Sequence, residues 1–209
     1  MNRLAIIGAG GHGKVIADIA RLNGYEDIVF LDDDAEVKTC SGYPVIGKCK
    51  DVDQVDADIV IAIGDSKIRK KLQERLLPNK LVTLIHPKAV IADDVSIGTG
   101  TVVMAGVIIN PGVKIGDGCI INTSSSVDHD SEIGNYVHIA VGSHLCGSVN
   151  IGDETWIGAG TIISNNISVT SRCIIGAGAV VVKDLPNEGT YIGIPARLIS
   201  CKNEIMKLN

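Results

Sequence analysis

Three of the five histidines in the sequence, His129, His138 and His144, lie within a stretch of sixteen residues, and Asp130 directly follows the first of them. Histidine has an ordinary pKa of about 6.5, so it can accept a proton from an attacking amine or hydroxyl. A neighbouring carboxylate raises the basicity of the ring and selects which nitrogen carries the proton. His129 and Asp130 are therefore our candidates for a general base and its tuning group. The sequence leaves open whether His138 and His144 only donate hydrogen bonds, and whether all three are inert surface residues.

Other chemistries lack their usual sequence patterns. No set of histidine, cysteine and carboxylate residues has the spacing of a metal site, and no serine lies in a nucleophile-elbow motif. We therefore expect neither a bound metal nor a covalent enzyme intermediate. Asn122 either orients a catalytic group or satisfies its own backbone, and His86, before Pro87, is interpreted as structural.

A glycine-rich motif, Gly8-x-Gly10-x-x-Gly13, follows an apolar strand and begins a helix, and Asp32 and Asp33 come about twenty residues later. This pattern matches the dinucleotide fingerprint, in which backbone N–H groups and a helix N-terminus receive phosphate while an acid binds the ribose. The unit has only about eighty residues, which leaves no second half for a nicotinamide. The motif predicts binding of a nucleotide or a nucleotide-linked sugar. The alternative is a tight turn that needs its glycines and binds nothing.

The elements around this motif alternate between strands and helices. Strands are predicted at 3–8, 27–31, 57–63 and 81–84, helices at 14–22, 50–55 and 66–77, and a loop at 42–47. The second long helix should be capped by Asp65 or Ser66. Such alternation favours a Rossmann-like parallel sheet with helices on both faces. We place this domain at residues 1–79 and a second domain at 80–209, with the seam at Pro78 and Asn79.

The second domain is a repeat of six residues. From Ile85 to Val181 every sixth residue is aliphatic, which gives seventeen positions in register, and the fourth residue after each is small or β-branched. Glycine often follows the aliphatic residue, and we expect positive φ angles there. A period of six fits neither a helix nor a hairpin, and it predicts a solenoid of very short strands. After Val181 the repeat ends, and residues 191–199 should lead into a short helical tail.

Composition excludes several classes of function. The net charge is −5 without a basic run, so nucleic acid is not expected as a partner. No apolar run is long enough to span a membrane, and no signal peptide is visible, so we expect a cytoplasmic protein. The six cysteines lack CxxC spacing and are interpreted as reduced packing residues.

The six-residue repeat resembles that of left-handed parallel β-helix acyltransferases. In that family three repeats make one triangular coil, so the resemblance implies five to six coils and a left-handed winding that opposes the usual crossover rule. The whole chain resembles the sialic acid O-acetyltransferase-like family, and within it the bacterial UDP-4-amino-sugar (bacillosamine-type) N-acetyltransferases. The supporting stretches are Gly8–Gly13, Phe30–Asp33, Ile61–Gly64, Ile68–Lys71, Asn122–Ser125, Asp128–Asp130, Val137–His138 and Gly193–Arg197.

This resemblance implies an acetyl-CoA-dependent enzyme in which the substrate attacks the acyl donor directly. His129 would deprotonate a sugar 4-amine and Asp130 would tune it, although glutamate is common at the latter position in the bacillosamine branch. The remaining implied contacts are His138, Gly147, Ala159 and Ala177 for acetyl-CoA, and Gly10, Gly11, His12, Asp32, Asp33 and Gly64 for the nucleotide.

The family forms homotrimers with acetyl-CoA between subunits, so we expect the same assembly. By position, the Gly147 N–H would stabilise the oxyanion. The alternative acceptors are sialic acid and GDP-perosamine. The remaining alternative is a nucleotide-binding module that has lost catalysis.

Overall fold

The computed structural model of the chain describes residues 3–76 and 80–200. The first part is an α/β unit with a five-stranded sheet in the order β3-β4-β2-β1-β5. Its strands are β1 (Arg3–Ile7), β2 (Asp27–Leu31), β3 (Thr39–Cys40), β4 (Tyr43–Gly47) and β5 (Asp58–Ile61). Its helices are α1 (Gly11–Leu22), a 3₁₀ helix (Cys49–Gln54) and α2 (Ser66–Gln73). All neighbouring strands are parallel except β3 and β4.

Both faces of this sheet are buried, which explains its almost continuous apolar strands. Leu4 and Ile6 of β1 pack on one face, in the same cluster as Ile16 of α1. Ala5 and Ile7 pack on the other face, with Val52 of the 3₁₀ helix. Side chains alternate between the two faces because successive residues of a strand point in opposite directions.

The predicted loop at 42–47 is wrong, because these residues form β4. This strand pairs with β2 on one side and with only two residues of β3 on the other. Pro44 lies in β4 and has no N–H to donate, which suits a strand near the edge of a sheet. The predicted helix at 66–77 is observed to Gln73, with the Asp65 carboxylate accepting the Ile68 N–H at 2.9 Å as its N-cap.

The domain seam predicted at Pro78 and Asn79 lies outside the described residues. Leu81 adds one parallel bridge to Ile59 of the first sheet. The fourth strand predicted at 81–84 is therefore corrected: Leu84 already belongs to the first strand of the repeat.

The repeat forms a parallel β-helix of seventeen two-residue strands, β6 to β22, with three strands per coil, so it makes between five and six coils. One face contains Leu84–Ile85, Val102–Val103, Ile120–Ile121, His138–Ile139, Trp156–Ile157 and Ile174–Ile175. The next contains Val90–Ile91, Ile108–Ile109, Ser126–Val127, His144–Leu145, Ile162–Ile163 and Val180–Val181. The third contains Ser96–Ile97, Lys114–Ile115, Glu132–Ile133, Asn150–Ile151 and Ser168–Val169.

The second residue of each strand fills the interior, together with the small-residue series. Polar members of that series bond to the backbone of a neighbouring coil: the Ser143 hydroxyl donates to the Gly158 carbonyl at 2.8 Å. Cys119 and Cys173 are fully buried in this series, as packing residues. An interior of buried aliphatic and small side chains is held by packing along the length of the β-helix.

The glycine that often follows the aliphatic residue is required for a reason other than the expected positive φ angle. The positive φ angles fall two residues later, at positions such as Gly100 (73°) and Asp130 (56°). At Gly98 the need is space, because a Cβ there would lie 2.5 Å from the Gly116 carbonyl carbon of the next coil. Glycine is therefore needed at these positions because successive coils approach each other closely there.

The first residue of each strand points outward, and it gives the three faces different characters. The junction face presents Leu84, Val102, Ile120, His138, Trp156 and Ile174; the apolar face presents Val90, Ile108, Ser126, His144, Ile162 and Val180; the polar face presents Ser96, Lys114, Glu132, Asn150 and Ser168. Leu84, Val102 and Ile120 are buried in the same cluster as β1 and α1. The N-terminal domain therefore covers the beginning of the junction face.

Arg69 of α2 fastens the two domains together. Its guanidinium is 1% exposed and donates to the carbonyls of Ile63 (2.8 Å) and Gly64 (2.9 Å) after β5. It also donates to the carbonyls of Gly118 (2.6 Å) and Tyr136 (2.8 Å) in the β-helix. One buried side chain thus fixes the end of β5 against two successive coils.

The chain ends its described part with β23 (Thr190–Ile192), which continues the junction face, and β24 (Arg197–Ser200), antiparallel to it. The predicted helical tail falls beyond residue 200, outside the described residues. Within the described ranges, no helix is both long and apolar enough to cross a bilayer.

Candidate active site

The glycine-rich loop leaves open space at the N-terminus of α1. A Cβ at Gly10, Gly11 or Gly64 would meet no atom within 4 Å. Gly13 is different, because a Cβ there would press on Gly8 and on the Phe30 ring. No side chain caps α1, so its first N–H groups remain available to an anion.

Asp32 shapes this loop from the end of β2, whereas Asp33 holds the start of the 3₁₀ helix. The Asp32 carboxylate accepts the Ala9 N–H at 2.7 Å, and that of Asp33 accepts the Cys49 N–H at 3.0 Å. Sequence reasoning assigned both aspartates to the nucleotide and missed this structural task. Asp32 lies beside the glycine-rich loop, and the next residue, Asp33, is exposed to solvent.

His129 lies at the corner that follows β13 (Ser126–Val127), at the edge between the apolar and polar faces. Its Nδ1 contacts the Asp130 carboxylate at 2.8 Å, and this hydrogen bond is the main cause that raises the pKa of His129. The bond places the ring hydrogen on Nδ1 and leaves the Nε2 lone pair free. His129 therefore has the tautomer that a general base requires.

Gly147 stands one coil further along the same corner. It is buried, and a Cβ at this position would lie 2.5 Å from His129 Nε2. No described residue accepts a hydrogen bond from the Gly147 N–H. A proton acceptor and an amide donor therefore lie side by side.

His138 lies on the junction face, whereas His129 lies at the corner between the apolar and polar faces. Its Nε2 lies 3.2 Å from Asn122 Nδ2, and its ring packs on Trp156 with centroids 4.9 Å apart. Burial, followed by the charges of Arg69 and His12, lowers the pKa of His138 to about 3. The pKa of His12 is lowered to about 4 by burial and by Arg69. His12, Arg69 and His138 thus form one polar cluster between the domains.

The structure separates the predicted acetyl-CoA residues within one chain. Gly147 lies with His129 at the corner after the apolar face, whereas Ala159 and Ala177 are exposed at the corner before it. These two corners are opposite edges of the apolar face. A single chain therefore does not bring these positions together.

The remaining histidines have local partners. His144 Nδ1 lies 2.9 Å from the Ser126 hydroxyl on the apolar face, and His86 Nδ1 accepts the Lys88 N–H at 3.0 Å. His86 thus has the structural role predicted for it. No group of three metal-binding side chains is found among residues 3–76 and 80–200.

Two residues of the domain junction, Arg69 and Trp156, were not singled out from the sequence. Arg69 lies inside the matching stretch Ile68–Lys71, and Trp156 was assigned no role. The signal for Arg69 was weak, because α2 buries Arg69 and Gln73 while Ile68 is 50% exposed, the reverse of the usual pattern. Trp156 does carry a signal, since it is the single tryptophan and occupies an outward position of the repeat.

Comparisons with known proteins agree with this architecture. Residues 3–76 match the family model described as the PglD N-terminal domain. A curated UDP-N-acetylbacillosamine N-acetyltransferase from Bacillus subtilis is 38% identical over 114 residues, which are 50% of this chain and 52% of that protein. A curated GDP-perosamine N-acetyltransferase from Escherichia coli O157:H7 is 32% identical, over 53% of this chain and 54% of that protein. The matched segments thus span about half the length of these curated relatives.

Solved structures match over almost the whole chain. The acetyltransferase domain of PglB from Neisseria gonorrhoeae is 40% identical with a TM-score of 0.89, covering 95% of this chain and 100% of that one, and it has also been solved in complex with acetyl coenzyme A. PerB from Caulobacter crescentus, in complex with CoA and GDP-perosamine, is 36% identical with a TM-score of 0.88, covering 96% and 98%. These matches confirm the predicted fold class, an α/β domain followed by a left-handed parallel β-helix. The chain belongs to the hexapeptide-repeat family of acetyl-CoA-dependent sugar N-acetyltransferases of the bacillosamine and perosamine type.

Proposed function

We propose that this chain transfers the acetyl group of acetyl-CoA to the 4-amino group of a UDP-linked 4-amino-4,6-dideoxy sugar. The observation that carries this proposal is the corner where His129 Nε2 lies against Gly147 while Asp130 holds Nδ1. The name of the Bacillus subtilis relative supports the UDP-sugar, and the ligand of PerB makes GDP-perosamine the second candidate.

The reaction follows from this geometry. The neutral amine attacks the thioester carbonyl carbon, and His129 Nε2 takes the proton that the amine nitrogen must lose. The Gly147 N–H donates to the carbonyl oxygen as its negative charge develops. The C–S bond then breaks, and the protonated His129 returns the proton to the CoA thiolate.

The nucleotide end would be held in the N-terminal domain. The N–H groups at the start of α1 suit the diphosphate, and Gly10, Gly11 and Gly64 leave room for it. We assign Asp32, Asp33 and His12 to the same ligand. His138 lies between this loop and the β-helix, so it would stand where the acceptor and acetyl-CoA meet.

We further propose that the complete site requires a homotrimer. Three copies that pack through their apolar faces around a threefold axis bring one edge of each face against the opposite edge of the next copy. His129 and Gly147 of one copy then face Ala159 and Ala177 of its neighbour. Acetyl-CoA would lie between them, which accounts for the separation of these residues in one chain.

The test is release of the CoA thiol, followed with a thiol-reactive dye. A UDP-4-amino sugar, GDP-perosamine, CMP-sialic acid and free sialic acid are offered separately. We expect release with the UDP-sugar, its loss in His129→Ala, and normal release in Asn150→Ala on the polar face. Release with GDP-perosamine alone would move the substrate assignment to the second candidate. Full activity of His129→Ala would remove the proposed base.

A further inference from the structure

The hydrogen bonds of Asn122 assign the tautomer of His138. Asn122 Oδ1 accepts the Thr123 N–H at 2.8 Å, which fixes the orientation of the amide. Its Nδ2 therefore faces His138 Nε2, at 3.2 Å. An amide nitrogen can only donate, so Nε2 must accept and the ring hydrogen of neutral His138 lies on Nδ1.

That N–H group is buried without an acceptor. Within the described part of the chain, no atom forms a hydrogen bond with His138 Nδ1. Burial first, and then the nearby positive charge of Arg69, lowers the pKa of His138, so the ring stays neutral. A buried donor without a partner costs free energy, so its presence calls for an explanation.

A second unpartnered ring nitrogen lies across the domain junction. Nε2 of His12, in the glycine-rich loop, is also buried and without a partner among the described residues. The two rings are close enough for the charge of one to lower the pKa of the other. The structure shows no hydrogen bond between these two atoms, so the donor at His138 Nδ1 stays unpaired within the described part of the chain.

We infer that Asn122 is a positioning residue, which holds His138 as a neutral Nδ1–H donor where the glycine-rich loop meets the β-helix. His138 is then not a second base, which leaves proton removal to His129. Asn122 acts only through His138. The kinetic consequence rests on the proposed function, because the glycine-rich loop is taken to bind the nucleotide-sugar.

NMR of protein labelled with ¹⁵N-histidine reports the tautomer directly, through the chemical shifts of the ring nitrogens. The signals of His138 are assigned by their loss in His138→Gln. In the unmodified protein we expect hydrogen on Nδ1 of His138 and none on Nε2. Asn122→Asp keeps an oxygen for the Thr123 N–H but replaces the donor to His138 by an acceptor. The hydrogen should therefore move to Nε2, and the pKa of His138 should rise beside the new carboxylate.

Asn150→Asp, the same change on the polar face, should leave these signals unaltered. Hydrogen on Nε2 in the unmodified protein would overturn the inference without any variant being needed. An unchanged tautomer in a folded Asn122→Asp protein would overturn it as well.

Kinetics separate the role of Asn122 from that of the base. We expect Asn122→Asp to raise the KM for the nucleotide-sugar roughly tenfold, the size of one lost hydrogen bond. The acid limb of the pH profile, which His129 is proposed to set, should stay unchanged. A moved tautomer with an unchanged KM for the nucleotide-sugar would remove the positioning role. Absence of turnover with every acceptor would contradict the proposed function, while the ring shifts would still decide the tautomer.

Discussion

His129 Nε2 lies directly against Gly147, so that a Cβ on this glycine would stand 2.5 Å from the ring nitrogen and 2.6 Å from Cε1. The two residues are eighteen positions apart, which is one coil of the β-helix, as for the paired strands Ser126–Val127 and His144–Leu145. The repeat itself therefore stacks the proposed base on the proposed oxyanion donor. Any side chain at position 147 must displace the ring.

Gly147→Ala should lower kcat strongly while changing stability little. Gly147 does not have a positive φ angle, so alanine fits its backbone, and only the His129 ring must move. Misplacement of a base by about 1 Å costs on the order of 100-fold in rate. Steady-state thiol release and a thermal melt measure both quantities.

The matched control is Asn165→Ala, at the same corner one coil further along, where we expect an unchanged rate. Gly147→Pro goes further, because it also removes the N–H group. A Gly147→Pro enzyme with normal turnover would exclude this amide as the oxyanion donor.

Asp130→Asn should shift the acid limb of the pH–rate profile to lower pH. The hydrogen bond to Asp130 is the main cause that raises the pKa of His129, so removing the carboxylate lowers that pKa. His129 must be neutral to act as a base, and a lower pKa keeps it neutral at lower pH. The measurement is kcat/KM against pH for both proteins.

Glu132→Gln provides the comparison, since Glu132 pairs with Lys114 and does not contact His129. Its profile should coincide with that of the unmodified enzyme. If the acid limb of Asp130→Asn also coincides with that of the unmodified enzyme, His129 is not the group whose titration produces that limb.

The period of six made much of the site predictable. It placed His129 at an outward corner, whereas the three repeats per coil, and hence the eighteen-residue spacing, came from the resemblance to β-helix acyltransferases. The solenoid of short strands and its buried residues followed from the period itself, because β-branched and small residues alternate in a fixed pattern. The glycine-rich loop was predicted because its glycines meet local backbone demands, as at Gly8 with its φ of 106°.

The domain junction was not predictable in this way. The carbonyls that Arg69 binds lie 5, 6, 49 and 67 residues away in the sequence, and carbonyls carry no side-chain signature. Asp32 could not be assigned to Ala9 because its partner is also a backbone group. Strand β4 was missed because Pro44 and two glycines suggested a loop, whereas pairing with β2 stabilises it.

Arg69→Met should destabilise the protein by about 3 to 5 kcal/mol. The change leaves four buried or partly buried carbonyls without their donor and removes one tie between the domains. Urea denaturation followed by circular dichroism measures the free energy of unfolding. Lys70→Met is the matched control, because Lys70 also crosses the junction, to Glu154, but its side chain is 39% exposed. We expect Lys70→Met to change the free energy of unfolding little. Equal losses of stability in the two variants would contradict a special role of Arg69.

Ile108→Glu should convert the proposed trimer to a monomer and abolish turnover. Ile108 is 46% exposed in a single chain and lies near the beginning of the apolar face. Three buried glutamates without partners would oppose association, since a charge removed from water needs a counter-charge. Size-exclusion chromatography with light scattering gives the assembly state, and thiol release gives the activity. Ser96→Glu on the polar face should leave both unchanged. Activity that persists in a monomeric Ile108→Glu protein would show that one chain holds a complete site, and the composite site between copies would be wrong.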